Sequence, residues 1–123
     1  MSTPVWVPLP VVIIVHDRQI ARHGGASGMR DRNLLESACV RPLNKFAHGE
    51  TDLPTLAAAY AYGIAKAHAF VDGNKRTAFV TAFTFLRLNG YAFRPEPVEA
   101  VRMMEDLAQD VVSEGEFSEW LHR

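Results

Sequence analysis

A single cysteine, Cys39, among 123 residues leaves no disulfide possible within the chain. It falls in an apolar helical pattern beside Leu35 and Ala38, where a small buried hydrophobe is a simpler reading than a nucleophile. The lack of disulfides fits a reducing compartment. No apolar run approaches the ~20 residues of a membrane helix. Val11 to Val15 is too short, and the segment before it has no basic residue to open a signal peptide. Neither sign of charge dominates: 13 Lys and Arg against 14 Asp and Glu give a net charge of -1, which argues against broad electrostatic binding to nucleic acid. The five histidines, at positions 16, 23, 48, 68 and 122, include no pair at the i, i+4 spacing of a helical zinc site, and there is no cysteine cluster. Internal repeats, coiled-coil heptads and low-complexity tracts are also missing. The expectation is a cytoplasmic protein, neither membrane-bound nor nucleic-acid-binding, with residues 1–123 as one domain and any site on a single core.

The residues that are present read mostly as helices. Met1 to Pro10, with three prolines and alternating Val5, Trp6 and Val7, suits a short extended entry. Pro10 can then open a helix from Val11 to His23 that stops at Gly24-Gly25, although the β-branched run Val11 to Val15 reads equally well as a buried strand. Gly24-Gly25-Ala26-Ser27-Gly28 lacks the Lys-Ser/Thr ending of a P-loop and reads as a flexible turn. Asp31 caps the next helix, through Leu34, Leu35, Ala38 and Cys39, and Pro42 is expected to end or bend it, leaving Leu43 to Asp52 as a surface loop or small hairpin. Asp52 and Pro54 open a helix with Leu56, Ala59, Tyr60, Gly63, Ile64 and Ala67 on one face. Lys75 to Asn89 is apolar nearly all round, the pattern of a helix surrounded by others, and is expected to be the central one. After a short extended piece at Tyr91 to Phe93, Pro95 or Pro97 opens a helix through Val98, Val101, Met104, Leu107, Ala108 and Val111, with Gly115 as its stop. Phe117, Trp120 and Leu121 suit a last short amphipathic helix.

Between two of these helices lies His68-Ala69-Phe70-Val71-Asp72-Gly73-Asn74-Lys75-Arg76, an imidazole, a carboxylate, an amide and two cations around a glycine. A helix end, tight loop and helix start make an anion site, because the first-turn N–H groups have no intrahelical partners and the dipole there is positive. Lys75 and Arg76 add full charges, Gly73 lets the backbone approach a ligand, and Phe70 should plug the core and anchor the loop. Asp72 is the carboxylate best placed for magnesium, which binds through few protein ligands and the phosphates themselves. His68 can take a proton from an attacking hydroxyl. Blander readings compete: Asn74 as a helix cap, Asp72 as a turn residue, Lys75-Arg76 as a solvated edge.

The pattern His68-x-Phe70-x-Asp72-Gly73-Asn74-Lys75-Arg76 resembles the signature of Fic/Doc proteins. Lys75, where AMP-transferring Fic enzymes carry glycine, resembles the Doc (death-on-curing) toxins. His16-Asp17, Gly24-Gly25, Gly28-Met29-Arg30-Asp31, Leu34-Leu35-Glu36-Ser37-Ala38, Arg41-Pro42 and Leu86-Arg87-x-Asn89-Gly90 are similar to the same pattern. The resemblance implies an all-α Fic-type bundle around a central buried helix, with at most short extended pieces. It also implies a toxin of a toxin–antitoxin pair, a kinase that uses ATP and Mg²⁺ to phosphorylate a threonine of elongation factor Tu and arrest translation. By the same resemblance His68 is the base, Asp72 the magnesium ligand, Gly73, Asn74, Lys75 and Arg76 the phosphate binders, and Phe70 the structural anchor. Lysine in place of glycine fills space and adds charge, so that ATP is expected to bind reversed with its γ-phosphate at the point of attack. An AMP-transferase, or a catalytically weak regulator that binds an antitoxin, are the alternatives. Leu43 to Asp52 resembles the flap by which family members hold a target segment. Self-inhibited Fic proteins carry a Ser/Thr-x-x-x-Glu-Gly/Asn helix; the nearest match, Asp110 to Glu114-Gly115, has the wrong first residue, so inhibition is expected from a separate, Phd-like antitoxin.

Overall fold

A computed structural model describes residues 3–123; of the extended entry expected over Met1 to Pro10, residues 1 and 2 lie outside it. It consists of six helices: α1 (Leu9–His23), α2 (Arg32–Ala47), α3 (Leu53–Ala67), α4 (Asn74–Leu88), α5 (Pro97–Ala108) and α6 (Glu114–Leu121). The fold is all-α, and the one β-type pairing among the described residues is an isolated bridge between Met29 and Phe70. No helix among them is long and apolar enough to cross a membrane.

Most helix starts follow their local chemistry. Asp31 accepts from the N–H groups of Asn33 and Leu34, Asp52 from that of Thr55, and Glu96 from those of Val98 and Glu99, satisfying first-turn donors that no carbonyl reaches. Ser113 and Glu116 form a reciprocal capping box on α6. The ambiguous run Val11 to Val15 is helical, with only Val12 of the five fully buried, because it lies on α4 and α2 and not inside a sheet. Ahead of α1 the chain is extended, as its prolines suggest. Asn89 grips it there, accepting from the Val5 N–H at 2.8 Å and donating to the Val5 carbonyl at 2.9 Å.

Three expectations are corrected. Pro42 does not end the second helix; α2 runs through it to Ala47. Proline leaves the Ala38 carbonyl without its i+4 donor, and α3 comes close at that spot: a Cβ on Gly63 would lie 3.1 Å from that oxygen. Beyond Pro42 the helix is held by Phe46, whose ring meets Trp6 edge-on at 5.7 Å. The expected loop from Leu43 to Asp52 therefore shrinks to residues 48–52, and the flap expectation loses half its length. Second, the central helix is α3, not the one from Lys75 to Asn89. It packs on α2, α4, α5 and α6, and its alanines at 57, 58, 59, 61 and 65 let those neighbours approach. On α4, Phe79 and Phe83 are only partly buried and line a cleft walled also by residues of α1 and α5. Third, Gly115 does not stop α5; it lies inside α6, and α5 ends at Ala108 with Gln109 as its C-cap, followed by Asp110 at φ 60°. Val98, Val101 and Val111 are exposed, while Ala100, Met104 and Leu107 form the buried face.

On the buried side of α4, the hydroxyls of Thr77 and Thr81 have no hydrogen-bond partner among the described residues. Such a group costs about 1–3 kcal/mol of desolvation. Thr81→Val should accordingly raise stability by about 1 kcal/mol, read as a higher urea midpoint at constant slope; a lower midpoint would mean that the hydroxyl is bonded in solution.

Candidate active site at the α3–α4 turn

The chain leaves α3 through His68 at φ 50° and ψ 42°, a left-handed conformation uncommon outside glycine, though His, like Asn and Asp, enters it more readily than most residues. This reverses the backbone so that the next two residues turn inward while the imidazole stays out. Ala69 and Phe70 are buried, His68 is exposed, and its ring makes no hydrogen bond among the described residues. A left-handed histidine held by its surroundings marks a place where strain of about 1–2 kcal/mol is tolerated.

The turn is built from the α1–α2 connection as much as from its own residues. The Ala69 carbonyl accepts from the N–H groups of Arg30 at 2.7 Å and Asp31 at 3.1 Å, and the Val71 N–H donates to the Gly28 carbonyl at 3.1 Å. Beneath them the Phe70 ring stacks on His16, centroids 3.8 Å apart and planes 6° apart. His16 is buried, and its Nε2 lies 2.8 Å from the Asp72 carbonyl oxygen. A carbonyl only accepts, so Nε2 carries the hydrogen. Asn74 closes the loop: its side chain accepts from the Phe70 N–H at 3.1 Å and donates to the Phe70 carbonyl at 3.0 Å. Asn74 thus acts as a clamp on the loop through one bond at each end of its amide.

Gly73 is the N-cap of α4 at φ 76°. Its missing side chain makes room for α1 and not directly for a ligand, since a Cβ there would lie 3.1 Å from Ile20 Cδ1. The first intrahelical bond of α4 runs from the Thr77 N–H to the Gly73 carbonyl, so the N–H groups of Asn74, Lys75 and Arg76 have no carbonyl to reach, and no side chain caps them. They border an open pocket of about 690 Å³ lined also by His68, Asp72 and Glu105. His68, Asp72, Gly73, Asn74, Lys75 and Arg76 are therefore brought to one pocket, while Phe70 lies buried under it.

Asp72 accepts from the Gly73 N–H at 2.9 Å and the Ala26 N–H at 3.3 Å. Those bonds hold its carboxyl below the usual carboxylate range, helped by Arg76, so it is ionised at neutral pH. Each oxygen keeps a free lone pair. No three His, Cys, Asp or Glu side chains converge among the described residues. The donor set thus fits a hard cation held by one carboxylate together with ligand oxygens, and not an all-protein cage. Because the folded value lies below the unfolded 3.8, the stability Asp72 contributes is present above that pH and is lost as pH falls through the lowered value. The difference in Tm between the wild type and Asp72→Ala should hold at neutral pH and close as pH falls from about 5 through the lowered value, followed by calorimetry; a constant gap would mean that the carboxylate charge is not what the loop uses.

The two cations are partly engaged. Arg76 donates to the Gly24 carbonyl at 3.0 Å, and Lys75 Nζ lies 2.8 Å from Glu105 Oε2 of α5. Lys66, two residues before His68, is tied instead to Asp110 at 2.6 Å and to the Ala108 carbonyl at 3.2 Å. On the far side of Lys75, Arg76 and Glu105 opens a second, more apolar cleft of about 560 Å³ floored by Phe79 and Phe83. Cys39 is no competing nucleophile, since burial pushes its thiol up to about 11.

Sequence reasoning missed His16, Glu105 and the glycine-rich connection. The last was not a free turn: a Cβ on Gly25 would come within 2.7 Å of Asp72 Oδ2. Its signal was present in Gly24-Gly25 and Gly28, but only the partner across the fold gives it meaning.

The all-α fold places an exposed imidazole beside an uncapped helix N-terminus and two cations at a helix–turn–helix junction. The sequence matches the Fic/DOC family model over residues 6–86. It is 42% identical over 80 residues to "Protein kinase doc" of Escherichia phage P1, covering 64% of each protein. It is 39% identical over 94 residues to "Toxin Doc" of Mycolicibacterium smegmatis, covering 74% of this chain and 67% of that protein. The chain belongs to the Fic/DOC family. The match to the phage protein spans just under two thirds of that protein's length, and the family match stops before α5 and α6.

Proposed function

We propose that this chain is the toxin of a toxin–antitoxin pair and acts as a protein kinase, moving the γ-phosphate of ATP to a hydroxyl of its target. The observation that carries the reading is the unengaged His68 ring on the rim of a pocket whose wall is the open N-terminus of α4. An unprotonated ring nitrogen of His68 takes the proton of the target hydroxyl as its oxygen bonds to the γ-phosphorus. The bond from that phosphorus to the β,γ-bridging oxygen breaks, and ADP leaves with the electron pair. Lys75, Arg76 and the N–H groups of residues 74–76 stabilise the phosphate oxygens, which is most of what phosphoryl transfer asks of a protein. Asp72 would hold magnesium together with those oxygens, and the ion supplies charge neutralisation. Asn74 and Gly73 serve by fixing the loop, through Phe70 and against Ile20.

The names of the two relatives, a kinase and a toxin, support this reading. So does Lys75, a charged side chain where the resemblance places glycine in AMP-transferring enzymes. From the resemblance to Doc toxins we further propose that the target is a threonine of elongation factor Tu, that the setting is the cytoplasm, and that a separate Phd-like antitoxin restrains the toxin. The protein with that factor and ATP labelled at the α- or the γ-phosphate tests the chemistry. Transfer of the γ-label alone is expected; α-label on the target would identify an AMP-transferase.

A further inference from the structure

The structure assigns Glu105 a role that rests on the phosphate-pocket reading: it is a tethered competitor for the anion at Lys75, and it sets the affinity of the pocket. Glu105 is the one carboxylate besides Asp72 lining that pocket, and the two are used differently. Asp72 is turned to backbone N–H groups, whereas Glu105 places Oε2 2.8 Å from Lys75 Nζ. Arg76, the other cation, is met by a neutral carbonyl. Lys75 is therefore the pocket cation whose charge is already answered by an opposite one.

The geometry makes that answer replaceable. Met104 and Leu107 are buried and fix α5, so Glu105 stays at the edge of the pocket, while its side chain and that of Lys75 are 43% and 46% exposed, which leaves both ends room to part. An exposed pair of this kind is weak, and a polyphosphate brings several charges and further acceptors for the helix N–H groups. A bound polyphosphate would take Lys75 from Glu105 and leave a like charge beside itself. The resting pair thus lowers affinity both by occupying the lysine and by repulsion.

Titration calorimetry with inorganic pyrophosphate and with magnesium-ATP, on the wild type, Glu105→Gln, Lys75→Met and the double variant, tests this. Glu105→Gln should bind about two- to tenfold tighter at low salt, with the gain shrinking as ionic strength rises. In the Lys75→Met background the same change should give a smaller gain, because only the repulsion is left to remove. Unchanged or weaker binding by Glu105→Gln, with the wild type still saturating, would overturn the role of Glu105 and leave the pocket reading standing. A wild type that binds neither ligand would overturn both. The pair is exposed, so Glu105→Gln should melt with the wild type; a melting temperature that falls together with affinity would show Glu105 to be a structural brace.

Discussion

His68→Asn should lower phosphoryl transfer by about 10²–10⁴-fold, the usual loss when a general base is removed, with little change in melting temperature. Asparagine is the informative replacement because residue 68 sits at φ 50°. It tolerates the left-handed region, so the turn is kept and only the proton acceptor is lost. Alanine would mix loss of the base with a backbone penalty of about 1 kcal/mol. Since the ring is exposed and unbonded among the described residues, nothing in the packing depends on it. Transfer by His68→Asn within a few-fold of the wild type would place the base elsewhere. Growth arrest that persists after transfer is lost would favour a protein whose effect lies in binding its antitoxin.

Phe70→Ala should destabilise the protein by about 3–5 kcal/mol, the range for emptying a fully buried aromatic site, and should abolish transfer as well. Phe70 is 1% exposed, lies face to face with His16, and is gripped on both sides of its backbone by Asn74. Removing it takes away the surface against which the α1 histidine locates the Asp72 carbonyl. Phe70→Leu keeps most of the volume and should cost less, so the two variants separate filling from stacking. Urea unfolding reads both. A cost below about 1 kcal/mol for the alanine variant would mean that the loop is held by its hydrogen bonds and not by the ring.

The site was legible to the extent that its chemistry is contiguous. From His68 to Arg76 the side chains that matter sit on one short stretch, and the rule that a helix start offers bare N–H groups needs no knowledge of the rest of the chain. Two roles within it were not legible. Asn74 was open to reading as a cap or a ligand; its side chain does not cap α4 but clamps Phe70, a contact that exists only once the loop has closed, while its N–H stays open at the pocket. Gly73 reads as space for a ligand, yet the space is taken by Ile20 from a helix more than fifty residues away in sequence. His16 was legible only as part of the family-like pair His16-Asp17, with no role attached, and Glu105 carried no signal at all, since a glutamate on an amphipathic helix is ordinary where it stands.

Helix existence followed the same division. Caps at Asp31, Asp52 and Glu96 and the apolar periods are short-range, and they determined that the chain would be a set of helices joined by a phosphate-type turn. What the tertiary structure alone decided was which helix is central, whether Pro42 would break α2, and which groups meet at the pocket. Burial is a property of neighbours: the alanines of α3 say only that something can come close, while Gly63 against Ala38, Phe46 against Trp6 and Glu105 against Lys75 depend on where separate segments dock.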